Sequence, residues 1–110
     1  MPDVAIYRWD RIPLDADGEV ADDFVEAPDV AVEILSPGLS IRGMEGRCRW
    51  FVDNGVRVAV AVTPRRRTVT EIRPDGRVTI LTAGEVLDLT DVLPGLRLAI
   101  YELFGVLRFG

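Results

Sequence analysis

One acidic residue, Glu33, stands inside a short apolar segment, where burying an ionised side chain is costly. The segment reads Pro-Asp-Val-Ala-Val-Glu-Ile-Leu-Ser from residue 28 to residue 36 and has the composition of a buried strand. Such a carboxylate needs a partner, and a metal ion or an arginine can serve. The tetrapeptide Pro-Asp-Val-Ala also occurs at residues 2–5. Asp3 could therefore bring a second carboxylate to Glu33 from a neighbouring strand.

Spacing decides which acid can share an ion with Glu33. Asp29 lies on the same strand face, but four residues at about 3.3 Å each separate the two by roughly 13 Å. Ligand bonds to Mg²⁺ are about 2.1 Å long, so Asp29 is expected to help start its own strand instead. Adjacent strands lie about 4.8 Å apart, which makes Asp3 the better partner. Two alternatives stay open: Glu33 as an acid paired only to an arginine, and Asp3 as a frayed terminal residue.

The composition excludes several kinds of chemistry. The chain has no histidine and one cysteine, Cys48, and all 13 of its basic residues are arginine. These absences exclude a histidine-dependent triad, a cysteine-cluster zinc site, a Schiff-base lysine and a P-loop lysine. Any catalysis must therefore use carboxylates with a hard, oxygen-preferring ion such as Mg²⁺.

The length of 110 residues predicts one small domain that spans residues 1–110. The net charge of −5 argues against strong non-specific attraction to nucleic acid. Charge is unevenly distributed, however: seven acids and no base fall between residues 15 and 29, whereas arginines predominate between 57 and 77. No apolar run is long enough to span a bilayer and no signal peptide is evident, so we expect a soluble cytoplasmic protein.

The elements that must position Glu33 are two apolar strands and one helix. Strands are predicted at 4–8, 30–36 and 57–63, and Ser40 is the expected N-cap of a helix that runs to about Asn54. Strands that are apolar on both faces and joined by a helix indicate a right-handed parallel crossover. The apolar stripe of the helix comprises Ile41, Met44, Cys48, Phe51 and Val52.

Two residues flank or oppose that stripe. Arg47 lies on its flank, where the side chain could reach the strand of Glu33 or could simply snorkel at the rim. Trp50 lies opposite the stripe and is either plainly exposed or a contact for a second subunit.

The remaining chain predicts a hairpin and a short tail. Alternating residues at 67–73 and 77–82 surround Pro-Asp-Gly, a hairpin signal. The run Arg65-Arg66-Arg67 is either a solvated hairpin edge or a phosphate contact. A turn at 93–96, a short strand to Ile100 and a helical turn at 101–104 complete the pattern.

Together these segments resemble the Uma-two family of restriction-endonuclease-like proteins. The matching pieces are Pro2-Asp3-Val4-Ala5, the segment 28–36, the helix 42–55, Thr68-Val69 leading to Pro74-Asp75-Gly76, Val92-Leu93-Pro94-Gly95-Leu96, and Glu102-Leu103-Phe104. The resemblance implies the PD-(D/E)XK nuclease fold: a mixed α/β (α+β) domain whose mixed β-sheet carries one main helix, at about 40–54, and a short C-terminal helical turn.

The resemblance also implies a chemistry, with DNA as the partner and Mg²⁺ as the cofactor. By position, Asp3 and Glu33 would bind the metal and act in catalysis. Leu35 stands where the original motif has its lysine, and Arg47 takes the place from which similar members supply that lysine. An arginine can stabilise charge on phosphate but does not readily deprotonate water.

Two functional hypotheses follow, with a weaker third. Relatives begin with an N-terminal helix and hairpin that this sequence lacks, so the chain is expected to be either an endonuclease of reduced or no activity or a non-enzymatic remnant used for dimerisation or partner binding. The third is a nucleic-acid-binding module built on the arginine-rich hairpin. An uncovered sheet face or edge also predicts self-association into a homo-oligomer, with Trp50 and residues 104–109 at the contact.

Overall fold

The computed structural model describes residues 2–12, 16–18 and 27–106. Its strands form one five-stranded mixed sheet and one two-stranded sheet. The elements in chain order are β1 (Val4–Ile6), a 3-10 helix (Trp9–Arg11), β2 (Val30–Ile34), α1 (Ile41–Asp53), β3 (Val58–Thr63), β4 (Thr68–Ile72), β5 (Val78–Leu81), β6 (Val86–Asp88), β7 (Arg97–Ala99) and α2 (Ile100–Val106). Strands β1 to β5 form the main sheet in sequential order, and β6 pairs with β7.

The central pair of the sheet is parallel, as the apolar segments predict. Strands β2 and β3 run parallel, and the other neighbours in the sheet are antiparallel. Helix α1 connects β2 to β3 and begins where expected, because the Ser40 hydroxyl oxygen accepts a 2.9 Å hydrogen bond from the Gly43 amide. Gly55 follows it with φ of +102°, a conformation that glycine adopts without strain. The expected mixed β-sheet with one main helix and a short C-terminal helix is thus confirmed.

Alternation along β2 and β3 divides the core into two layers. One face presents small side chains, including Ala31, Ala59 and Ala61, and α1 packs on it through its apolar stripe. The opposite face presents Val30, Val58 and other valines to the C-terminal segment. Small residues let the helix approach closely, whereas the larger valines fill the space under the more distant segment.

The C-terminal segment corrects the expectation that one sheet face lies uncovered. Strands β6 and β7 and helix α2 cover that face with Leu87, Leu89 and Ile100. Phe104, expected at a subunit contact, is only 6% exposed and belongs to this core. Strand β6 was not predicted, because three residues give too short a pattern. Residues 107–109, the rest of the predicted contact, lie outside the described residues.

Several large apolar side chains nevertheless remain exposed. Trp50 on α1 is 61% exposed, as its position opposite the stripe predicts. On the edge strand β5, Val78 is 49% and Ile80 is 63% exposed. Within the described ranges, no helix combines the length and apolar character needed to cross a membrane.

Candidate functional site

Asp3 and Glu33 meet on adjacent strands, as the repeated tetrapeptide predicts. In the antiparallel register of β1 and β2, Val4 is opposite Val32, which sets Asp3 beside Glu33 on the face that carries α1. Asp3 itself is exposed, yet its Oδ2 accepts a 2.7 Å hydrogen bond from the Ile34 amide. That bond holds the first carboxylate against the strand of the second.

Glu33 is almost fully buried, at 3% exposure, and its partners are incomplete. Arg47 reaches it from α1: Nη2 of Arg47 lies 3.1 Å from Oε1 of Glu33. The Arg47 side chain is 49% exposed, so it spans from the carboxylate to solvent. No donor within the described residues is aligned to give Oε1 a hydrogen bond. A buried acceptor without a hydrogen bond is rare and costly, which marks the atom as a site for something further.

The surroundings of Glu33 shift the pKa of its carboxyl upward. Burial raises the pKa of the Glu33 carboxyl; the Arg47 guanidinium opposes that rise, and the nearby Asp3 carboxylate adds to it. The net effect is a raised pKa. A bound cation would oppose this rise, because it favours the charged form of a carboxyl.

Cys48 lies close to this site but has no evident chemical role there. It is fully buried, and burial together with the Glu33 charge raises the pKa of its thiol to about 11. The thiol is therefore protonated at neutral pH and is a packing group.

A cavity of about 320 Å³ opens beside Glu33 and Arg47. Its other walls come from the end of β2, the loop that follows it and the first two turns of α1, namely Ile34, Leu35, Gly38, Leu39, Ser40, Gly43 and Met44. Leu35, at the position of the motif lysine, packs against the apolar core under α1. The cavity thus has one acid and one arginine in otherwise uncharged walls.

The acids present can hold Mg²⁺, though not as a closed cage. Among the described residues, no group of three or more acidic, histidine or cysteine side chains could enclose a metal. Mg²⁺ commonly binds through one or two carboxylates and completes its shell with water and substrate phosphate. Asp3 and Glu33, with the Oε1 atom that accepts no hydrogen bond, fit that open mode of binding.

Asp29 has a structural role at the start of β2, as expected from its distance from Glu33. Its backbone bridges β1 and β3, since its amide donates to Ile6 and its carbonyl accepts from Val58. Its fully buried carboxylate accepts a 2.7 Å bond from the Arg8 amide and a 2.6 Å bond from Nη1 of Arg11. Sequence analysis did not identify these partners, because they lie 18 or more residues away in a 3-10 helix and its approach.

The arginine run between β3 and β4 forms an exposed turn. Arg65, Arg66 and Arg67 are all exposed, and Arg67 has a φ of +52°, which is uncommon for a residue with a side chain. The turn stands at the same end of the sheet as Glu33, because β2 and β3 are parallel. Solvated edge and phosphate contact both remain consistent with this position.

Comparisons with known proteins agree with this architecture. A family model described as "Uma2: Putative restriction endonuclease" matches residues 1–101. A crystal structure of a putative nuclease belonging to DUF820 from Anabaena variabilis superposes with a TM-score of 0.83 at 28% sequence identity. The match covers 96% of this chain but only 59% of that one. No curated protein sequence matches significantly.

Proposed function

Since the chain belongs to the Uma-two family of putative restriction endonucleases, we propose that its Asp3–Glu33 site binds Mg²⁺ and hydrolyses phosphodiester bonds in DNA. The observation that carries this proposal is the meeting of the two carboxylates, with Glu33 buried and one of its oxygens lacking a hydrogen bond. Burial and the neighbouring Asp3 raise the pKa of the Glu33 carboxyl, and perturbed pKa values cluster at functional sites.

In the proposed mechanism, Asp3 and Glu33 hold the ion and Arg47 contacts the phosphate. When bound, Mg²⁺ would polarise the phosphate and lower the pKa of a bound water. Arg47 is half-exposed and can turn from the Glu33 carboxylate towards the substrate, where its guanidinium would stabilise developing negative charge. Glu33 binds the ion as a carboxylate, so protons compete with Mg²⁺ and activity should fall as the pH is lowered through the pKa of Glu33.

The activity of this chain is expected to be weak or undetectable. No lysine is present to act as a general base, and arginine does not release a proton at ordinary pH. The chain also spans 59% of the length of the solved neighbour, so that protein's activity does not transfer to it directly.

Nicking of supercoiled plasmid DNA in Mg²⁺ tests the proposal. Glu33→Gln, Asp3→Asn or a chelator should each abolish any nicking. Arg47→Lys should increase it, since lysine can act as a base; a further decrease would assign Arg47 a role specific to its guanidinium. Nicking that survives both the Glu33→Gln change and the chelator would contradict the proposal.

A second candidate function is binding to a partner or to a second copy without catalysis. The exposed apolar side chains of Trp50, Val78 and Ile80 favour it. Strand β5 is a sheet edge whose free backbone groups can pair with another chain. Sedimentation at micromolar concentration should then show a dimer that Ile80→Asp or Trp50→Ala dissociates, whereas a monomer at all concentrations would contradict self-association.

A further inference from the structure

A groove of about 470 Å³ adjoins the carboxylate site on the side away from Asp3. It lies between the loop after β2 and the start of the β3–β4 turn, and its walls include Leu35, Pro37, Leu39, Pro64 and Arg65. Leu39 is 54% exposed and contributes apolar surface to the wall of the groove. The groove therefore combines apolar walls with one cation at its rim.

The groove is continuous with the cavity that holds Glu33 and Arg47. The two share Ile34, Leu35, Gly38 and Leu39 as a common wall. A polymer bound at Glu33 can extend along this wall. Arg65 lines the opposite side and the exposed Arg66 follows it in the chain, so both suit the phosphates of a strand passing over the groove.

Hydrogen-bonded turns hold both walls of the groove. The Leu35 amide donates to Val62 at 2.9 Å, and the Leu39 amide donates to Ser36 at 3.2 Å. On the other side, the Arg67 amide donates to Pro64 at 3.2 Å. A groove whose backbone is fixed in this way is preformed, as ligand sites usually are.

On the function proposed above, we propose that this groove receives one unpaired nucleobase of a DNA strand whose phosphate lies at the Asp3–Glu33 site. Its volume falls within the usual range for small ligands, and its apolar walls suit the face of a base. A base inside a duplex is stacked and cannot enter without being unpaired. The chain therefore acts on single strands or frayed ends in preference to the interior of a duplex.

The walls also indicate how selective the groove is. Beyond Ser36 and Arg65, they offer no polar side chain to recognise the edge of a base. Direct readout needs such donors and acceptors, so the contact is with the face of the base and does not depend on sequence.

Fluorescence anisotropy with labelled 12-nucleotide DNA in Mg²⁺ tests this assignment, with the DNA recovered intact afterwards. We expect the single strand to bind about tenfold more tightly than the blunt duplex, and Leu39→Asp to weaken single-strand binding about tenfold. The matched control is Val86→Asp, which places the same charge at an exposed site on β6 and should leave binding unchanged. Equal affinity for single strand and duplex would overturn the assignment.

A second experiment measures the binding of a DNA strand that lacks the base at one position. The abasic site should weaken binding by the wild type but have little further effect on Leu39→Asp, because both changes remove the same contact. Independent, additive losses would overturn the groove assignment.

The outcomes separate this inference from the proposed hydrolysis. If Glu33-dependent cleavage of duplex DNA is found and Leu39→Asp has no effect on DNA binding, the groove assignment is wrong and the proposed hydrolysis stands. If strand binding depends on Leu39 but no cleavage is found, the groove assignment stands and the proposed hydrolysis is wrong. If Leu39→Asp alters sedimentation instead of DNA binding, a second copy occupies the groove and the inference is wrong.

Discussion

Asp29 and Glu33 occupy the same face at opposite ends of one strand, and both carboxylates are buried. Asp29 receives a backbone amide and the Arg11 guanidinium, with Arg57 a further 4.0 Å contact. Glu33 has one half-exposed arginine, a second carboxylate as its neighbour and an oxygen without a hydrogen bond. The carboxylate of Asp29 ties the segment after β1 to the start of β2, whereas that of Glu33 is the proposed ligand of an ion.

The same strand thus carries a structural end at Asp29 and the proposed functional end at Glu33. At Asp29 the charge is compensated by the protein itself, so removing one partner leaves a buried charge. At Glu33 the protein tolerates an acid that burial and Asp3 both disfavour in its charged form. Natural proteins place such local costs at sites of function.

The largest expected effect is at the structural end. Asp29→Ala removes the acceptor of the Arg8 amide and the partner of Arg11, so the free energy of unfolding should fall by about 3 kcal/mol. Chemical denaturation measures the loss. Asp10→Ala is the control, since Asp10 is 67% exposed and pairs with Arg8 at the surface; it should cost under about 1 kcal/mol. Equal losses for the two variants would remove the distinction between buried and exposed acids.

Removing Arg11, the partner of Asp29, should destabilise the protein more than removing Arg47, the partner of Glu33. Arg11→Ala leaves Asp29 buried with less compensation, and we expect a loss of about 2 kcal/mol. Arg47→Ala should cost less than about 1 kcal/mol, because Glu33 can take up a proton when its cation is removed. Parallel urea titrations at neutral pH compare them. A greater loss for Arg47→Ala would show that Glu33 belongs to a structural ion pair.

The smallest expected change in stability is that of Glu33→Gln, and it is a gain rather than a loss. Because the folded state raises the pKa of Glu33, its contribution to stability is complete at low pH and is lost as the pH rises through that pKa. Glutamine stays neutral, so the variant should be slightly more stable than the wild type at pH 8 and should lose this advantage near pH 4. A variant that is less stable at pH 8 would indicate a stabilising Glu33–Arg47 pair.

Local patterns were sufficient to predict much of the sheet and the pairing of Asp3 with Glu33. The 3.6-residue stripe of α1 and the apolar runs of β2 and β3 specify their own elements, and the repeated Pro-Asp-Val-Ala marks the start of two neighbouring strands. The flank position of Arg47 left two placements open, and the structure shows the one beside Glu33.

Contacts between distant segments were not predictable in this way. Nothing in the sequence pairs Arg11 with Asp29, because the pair depends on how a 3-10 helix docks against the sheet. Strand β6 has only three residues and forms because β7 returns beside it. The expectation of an uncovered sheet face was wrong for the same reason: the tail covers it through contacts that periodicity does not encode.

The most direct test of the central claim is the pKa of the Glu33 carboxyl, measured by carbon NMR with and without Mg²⁺. Without the ion, the pKa should lie above the ordinary value for glutamate. Mg²⁺ should lower it, and Asp3→Asn should abolish that decrease. A Glu33 pKa that is the same with and without Mg²⁺ would contradict the assignment of Asp3 and Glu33 as a metal site.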